Sequence, residues 1–186
     1  MHSVTSTYEF TYIVDEDDRI VSISDNWDSF ALENKAPDLT AQVVVGQSLF
    51  TFVADEATQH IYRIILEQVR RTGRTIVFSY RCDSPSVRRF MELRISRSDE
   101  GNVQFDSRIM REEPRDPVLL LDEALERSDD FLSICGWCKK VHVSGEWMEV
   151  ELALERLDLF GQSPLPRLTH GICPACTERM MQEIAS

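Results

Sequence analysis

The sequence predicts an α+β protein: a five-stranded antiparallel sheet with helices on one face, followed by a small cysteine-rich module. Three observations carry this. Five short segments are β-prone, and three of them alternate apolar with other residues at the period of a strand. One long segment, Asp55 to Thr72, repeats its apolar residues at helical spacing. Four of the five cysteines stand in two Cys-x-x-Cys pairs within the last third of the chain.

Phe10 to Val14 and Ile20 to Ser24 are joined by the acidic turn Asp15 to Arg19 and read as a hairpin. Asp25 caps a short helix whose Trp27, Phe30 and Ala31 share one face, with Pro37 beyond its end. Gly46 opens a second small element, with Leu49, Phe50, Phe52 and Val53 as core candidates. Asp55 then caps the long helix. Ala57, Ile61, Ile64, Ile65 and Val69 form its core stripe, and Gly73 stands where a terminating glycine belongs. Ile76, Phe78 and Tyr80 alternate in the next strand, followed by Met91, Leu93 and Ile95, then Val103, Phe105 and Ile109 with Ser107 between. Asp83-Ser84-Pro85 and Asp99 to Asn102 supply the turn chemistry between them.

Residues 113–130 read as a linker, because Arg111 to Asp116 holds three acids, two arginines and a proline. Within it the sequence predicts a short helix over Pro117 to Arg127, lined by Val118, Leu121 and Leu125. A chain of 186 residues makes one domain, or one plus a small satellite, and 42% hydrophobic residues suffice for a core. A net charge of −12 opposes nucleic acid and anionic membranes as partners. No signal peptide is visible and no apolar run approaches the ~20 residues of a membrane span, so a soluble cytoplasmic protein is expected.

The order of elements from Tyr8 to Glu112 resembles a PAS domain. Val14 to Val21 matches the opening hairpin, Val45-Gly46-Gln47-Ser48-Leu49 precedes the central helices, and Asp55 to Gly73 fits the long helix. Tyr80-Arg81-Cys82-Asp83-Ser84-Pro85 replaces the usual Arg-x-Asp-Gly turn. The tail, Ile134 to Val141 with Trp147 and Thr169 to Cys176, is similar to the cysteine-rich extensions that follow PAS or receiver domains in bacterial signalling proteins. The resemblance implies a sensory domain over 8–112, with an unknown small-molecule ligand, a protein partner in signalling and room for a homodimer.

The cysteines carry the most specific signal. Cys135 and Cys138 are followed after 34 residues by Cys173 and Cys176. Zinc takes four ligands in a tetrahedron, and each Cys-x-x-Cys turn directs two thiolates to one side. Two such turns close the shell with no open position, the arrangement of a structural zinc ion. The long spacing is expected to hold a hairpin around Ser144-Gly145 and a helix over Glu149 to Phe160, with Val150, Ala153, Leu154 and Leu157 on one side. Thr177 to Ile184 is helix-prone, which sets the second pair at a helix N-terminus. Knuckle, hairpin and ligand-bearing helix over 131–184 follow the logic of a treble-clef module. A two-iron cluster accepts the same four thiolates, so the spacing leaves the metal open. His170, three residues before Cys173, is a candidate to replace one thiolate, and more readily a hydrogen-bond partner of the site.

The rival reading is a thiol-disulfide redox protein or redox sensor using the Cys-x-x-Cys pairs. A redox turn, however, follows a strand and opens a long helix in a βαβ unit, and Cys135-Gly136-Trp137-Cys138 is expected to do neither. Lys139 and Lys140 read equally as offsets to a −2 tetrathiolate centre or as a solvated edge. With Arg167 and Arg179 they form a small basic cluster that the acidic chain makes a poor nucleic-acid surface. His60 is expected to be exposed rather than a haem ligand, and Cys82 to be a structural thiol. The flavin-photosensor motif Asn-Cys-Arg-Phe is absent, and no catalytic motif is visible, so an enzyme is not expected. The function expected from sequence is a cytosolic, bacterial-type signal-sensing or protein-interaction module with no effector domain of its own.

Overall fold

The computed structural model describes residues 10–33, 37–53 and 55–186. The start of the predicted 8–112 unit, Lys35 and the side chain of Phe30 lie outside the described residues. β1 (Phe10–Val14) and β2 (Ile20–Ile23) form the opening hairpin. After α1 (Trp27–Glu33) and the four-residue α2 (Ala41–Val44), a single turn over Leu49–Thr51 buries Leu49. The Asp55 carboxylate accepts the Thr58 backbone N–H at 2.9 Å and starts α3 (Glu56–Thr72). Gly73, at φ 70°, ends it in the left-handed conformation that glycine adopts without cost. The buried stripe of α3 is Thr58, Ile61, Ile65, Leu66 and Val69. Ala57, predicted in the stripe, is exposed, and His60 is exposed as expected.

β3 (Ile76–Arg81), β4 (Val87–Arg97) and β5 (Val103–Pro114) complete a five-stranded antiparallel sheet in the order β2-β1-β5-β4-β3. The sheet has one apolar face, where Ile76, Phe78, Leu93, Ile95, Val103 and Phe105 pack with the α3 stripe. Its other face is polar, with Thr11 donating to Asp106 at 2.8 Å and Arg108 paired to Glu92 at 2.7 Å.

The segment predicted as a linker with a helix differs. β5 stays paired with β4, across a register shift between Phe90 and Met91, as far as Pro114, opposite Val87, and the Arg115 N–H is held by the Ser86 carbonyl at 3.0 Å. Only Leu119–Leu121 makes a helical turn, and β6 (Arg127–Cys135) starts where the helix was expected to end. The reason is tertiary. The Arg127 guanidinium takes the carbonyls of Leu120, Asp122 and Pro166, while its backbone lies beside Leu165. An isolated helix of this length is marginal in water, so these contacts outweigh its propensity.

A second sheet, ordered β8-β7-β6-β9, carries the cysteines. β7 (Val141–Val143) and β8 (Glu146–Met148) join through Ser144 and Gly145, both at positive φ, the two-residue turn that matches strand twist. α4 (Val150–Arg156) is shorter than the predicted Glu149 to Phe160 and buries Val150, Ala153 and Leu154. β9 (Leu165–Gly171) then pairs parallel with β6, and α5 (Pro174–Ala185) closes the chain, one turn longer at its start than predicted. Parallel neighbours need a long crossover, and β7, β8 and α4 supply it. That crossover fills the spacing between the cysteine pairs.

The hydrophobic core crosses from one sheet to the other. Cys135, Trp137, Cys173, Cys176, Met180 and Ile184 belong to the same apolar cluster as Phe78 and the α3 stripe. A separate cluster under the second sheet contains Leu120, Leu132, Ile134, Val141, Val150 and Leu165. Beside the crossing lies an ion network. Asp83, with no exposed side-chain surface, accepts from Arg81 Nε at 3.1 Å and pairs with Arg115 at 3.2 Å. Arg81 also donates to Glu149 at 2.7 Å, and Arg88 and Arg115 both reach Glu151, at 2.8 and 3.1 Å. The first turn of α4 is thereby tied to the end of β3. No helix among the described residues is long and apolar enough to cross a membrane.

Candidate metal centre

The parallel register brings the two cysteine pairs together. Cys135, the last residue of β6, lies opposite Gly171, the last residue of β9, so Cys173 follows two residues beyond its neighbouring strand end. After Cys135 the chain turns tightly: the Cys135 N–H donates to the Lys140 carbonyl at 2.8 Å and the Lys139 N–H to the Cys135 carbonyl at 3.0 Å. Gly136 is locked across the strands by a 2.8 Å bond to the Gly171 carbonyl. On the other side Cys173 takes the N-cap position of α5 and Pro174 its first turn, which leaves Cys176 on the N-terminal turn. The helix dipole there favours thiolate.

The Sγ atoms of Cys135, Cys138, Cys173 and Cys176 all lie within 4.8 Å of one another, and no carboxylate or imidazole among the described residues joins the group. Cys138 and Cys173 sulfurs are 3.7 Å apart. A tetrahedron with metal–sulfur bonds of about 2.3 Å spaces its sulfurs about 3.8 Å apart, so this separation suits a single ion. It is far beyond the ~2 Å of a disulfide, and all five cysteines are free. Cys135, Cys173 and Cys176 are buried and Cys138 is half-buried. Four cysteines at these separations can hold a metal ion.

The sulfurs differ in protonation. Hydrogen bonds from the Cys138 and Cys176 thiols hold Cys135 well below the usual thiol range, and the Cys173 N–H, 3.4 Å from its sulfur, adds to this. The donors move the other way: donation to Cys135 pushes Cys138 up to about 12 and raises Cys176. A metal ligand must be a thiolate, so binding expels thiol protons from this cluster, and affinity is expected to fall as pH falls. Competition with a chromophoric chelator at two pH values checks this.

Positive charge reaches the cluster from α5. The Arg179 guanidinium lies 3.9 Å from the Cys176 sulfur and donates to the Ser79 carbonyl at 2.9 Å. The sequence offered a signal for it, since a residue three beyond a helical cysteine shares its face. His170, weighed as a replacement ligand, is outside the sulfur group. β9 pairs it with Ile134, and it lines an open cleft of about 340 Å³ with Arg127, Lys139 and Arg167. His170 is exposed, and partial desolvation by its surroundings, then the Lys139 charge, lower its pKa. The Cys135–Cys138 turn does follow a strand, contrary to expectation, but β7 and not a helix comes after it. Cys82 sits just past β3, half-buried, with its N–H on the Arg89 carbonyl at 3.0 Å.

No protein-family model matches the chain, and no curated protein matches it either.

Proposed function

We propose that this chain is a PAS-like signal-sensing or protein-interaction module that carries one structural zinc ion on Cys135, Cys138, Cys173 and Cys176. The observation that carries the reading is the four-sulfur cluster, to which no histidine or carboxylate among the described residues belongs. All-thiolate tetrahedral shells are characteristic of structural zinc. The hairpin, helices and three further strands around one apolar sheet face follow the order on which the PAS resemblance rests. Knuckle, β7–β8 hairpin and the cysteine-bearing α5 support a treble-clef-like arrangement. The module would act in the cytoplasm of a bacterial cell through a protein partner, alone or as a homodimer.

Zinc content and disulfide turnover separate this reading from a thiol-disulfide enzyme. Cys82→Ser is expected to retain about one zinc per chain, the wild-type value for a single closed site. Neither protein is expected to reduce a disulfide substrate. Catalytic turnover by the wild type, with no zinc bound, would establish the redox reading instead.

A further inference from the structure

The cleft that His170 lines lies beside the second sheet, outside the sulfur cluster. Its volume, about 340 Å³, is at the low end of the range that takes a small organic ligand. Leu121, Ile134 and Leu168 give it an apolar wall. Arg127, Lys139, Arg167 and His170 bring positive charge or hydrogen-bond donors to the same space.

The chain carries a net charge of −12, yet the carboxylates nearby offset this group only in part. Asp83 lines the cleft but is already paired with Arg81 and Arg115. Asp55, whose charge reaches His170, caps α3. Asp129 meets Arg167 at 3.3 Å from a fully exposed position, a pair that contributes little in water. Glu123 is the remaining acid of the lining. Arg127 is fixed by the carbonyls of Leu120, Asp122 and Pro166, which take its hydrogen bonds and leave its charge.

Lys139 reaches the cleft from a strained position. Its φ is 61°, in the left-handed region where a side chain is disfavoured and glycine is not. Backbone bonds hold this turn, from the Lys139 N–H to the Cys135 carbonyl at 3.0 Å and from the Cys135 N–H to the Lys140 carbonyl at 2.8 Å. Glycine would keep those bonds without strain, so what lysine adds here is its ammonium group. That charge acts on His170 across the cleft.

We propose that this cleft binds a small organic phosphate, its phosphoryl oxygens on Lys139, Arg167 and His170 and its apolar body on Leu121, Ile134 and Leu168. The guanidinium fork matches two phosphoryl oxygens, the ammonium acts as a point charge, and the imidazole donates through a ring N–H. A phosphate monoester has three terminal oxygens and can engage all three side chains at once. A carboxylate has only two.

The test titrates phenyl phosphate, benzoate and inorganic phosphate into the full chain by calorimetry at constant ionic strength. Phenyl phosphate is expected to bind at least about tenfold more tightly than either of the others. Lys139→Gly is expected to weaken it at least about tenfold while the melting temperature holds or rises, because the strain is relieved. Arg167→Gln, on an exposed strand position, is expected to weaken it by a similar factor, and stands by itself should Lys139→Gly fail to fold. Glu123→Gln is expected to tighten binding, and Lys140→Gln, outside the lining, to leave it unchanged. Absence of phenyl phosphate binding to the wild type overturns the proposal, as does full binding by Lys139→Gly or Arg167→Gln. An equal loss from Lys140→Gln overturns it too, because the attraction is then to basic surface in general. Benzoate or inorganic phosphate binding as tightly as phenyl phosphate overturns the assignment to an organic phosphate.

Discussion

Replacing Cys135 by serine is expected to abolish stable metal binding and to strip hydrogen-exchange protection from α5 and the cysteine ends of β6 and β9. Cys135 is fully buried, its sulfur accepts the Cys173 N–H, and it lies at the one point where both strands and both cysteine pairs meet. Structural zinc contributes an apparent ~10–16 kcal/mol to the folding of small zinc modules, more than such a module recovers from its own core. Here Met180 and Ile184 also pack α5 into the larger apolar cluster. Loss is therefore expected to loosen the end of the second sheet while β4 and β5 keep their protection. Metal analysis with exchange mass spectrometry measures both. Retention of zinc by the serine variant would remove Cys135 from the ligand set.

Asp83→Ala is expected to lower stability by about 3–5 kcal/mol at neutral pH. The carboxylate has no exposed surface, and the Arg81 and Arg115 side chains around it are each only 9% exposed. Its removal leaves two guanidinium groups short of a counter-charge in the same buried place. Burial works against charge on Arg81, but its bonds to Asp83 and Glu149 more than offset this and raise its pKa, so it cannot escape by losing its proton. The exposed Arg156–Glu146 pair, at 2.6 Å, supplies the contrast. Breaking it is expected to cost less than about 1 kcal/mol. Urea unfolding of the two variants makes the comparison, and equal losses would show that the Asp83 network contributes no more than a surface pair.

What could be read from the sequence follows the range of the interactions involved. Asp55 and Gly73 mark the ends of α3 because capping is decided by neighbours, and Ser144-Gly145 marks a hairpin for the same reason. The gathering of the four cysteines was legible because each Cys-x-x-Cys spacing directs two sulfurs to one side of a turn. The helix expected over Pro117 to Arg127 was not a misjudged propensity. Leu119 to Glu126 is helix-prone, but Arg127 is bound to the Leu120 and Asp122 carbonyls within it and to Pro166, 39 residues away.

The joining of the two parts was equally out of reach. Arg81 and Glu149 are 68 residues apart, and nothing local in either reports the other. Trp137 reads as one residue between two cysteines, and only the folded chain shows it on Phe78 and Tyr62. The acidic, proline-bearing run from Arg111 to Asp116 reads as a linker on composition. Its acids and arginines are instead spent on pairs such as Arg89–Glu112 at 2.7 Å and Arg115–Glu151 at 3.1 Å.

Native mass spectrometry of the chain purified without added metal or chelator tests the central claim most directly. The account predicts a single zinc adduct of about one ion per chain, absent from Cys135→Ser and present in Cys82→Ser, with Cys82 the one thiol that reacts readily before denaturation. A metal-free wild-type chain whose five thiols are all reactive, and which takes up no zinc when it is supplied, would contradict it.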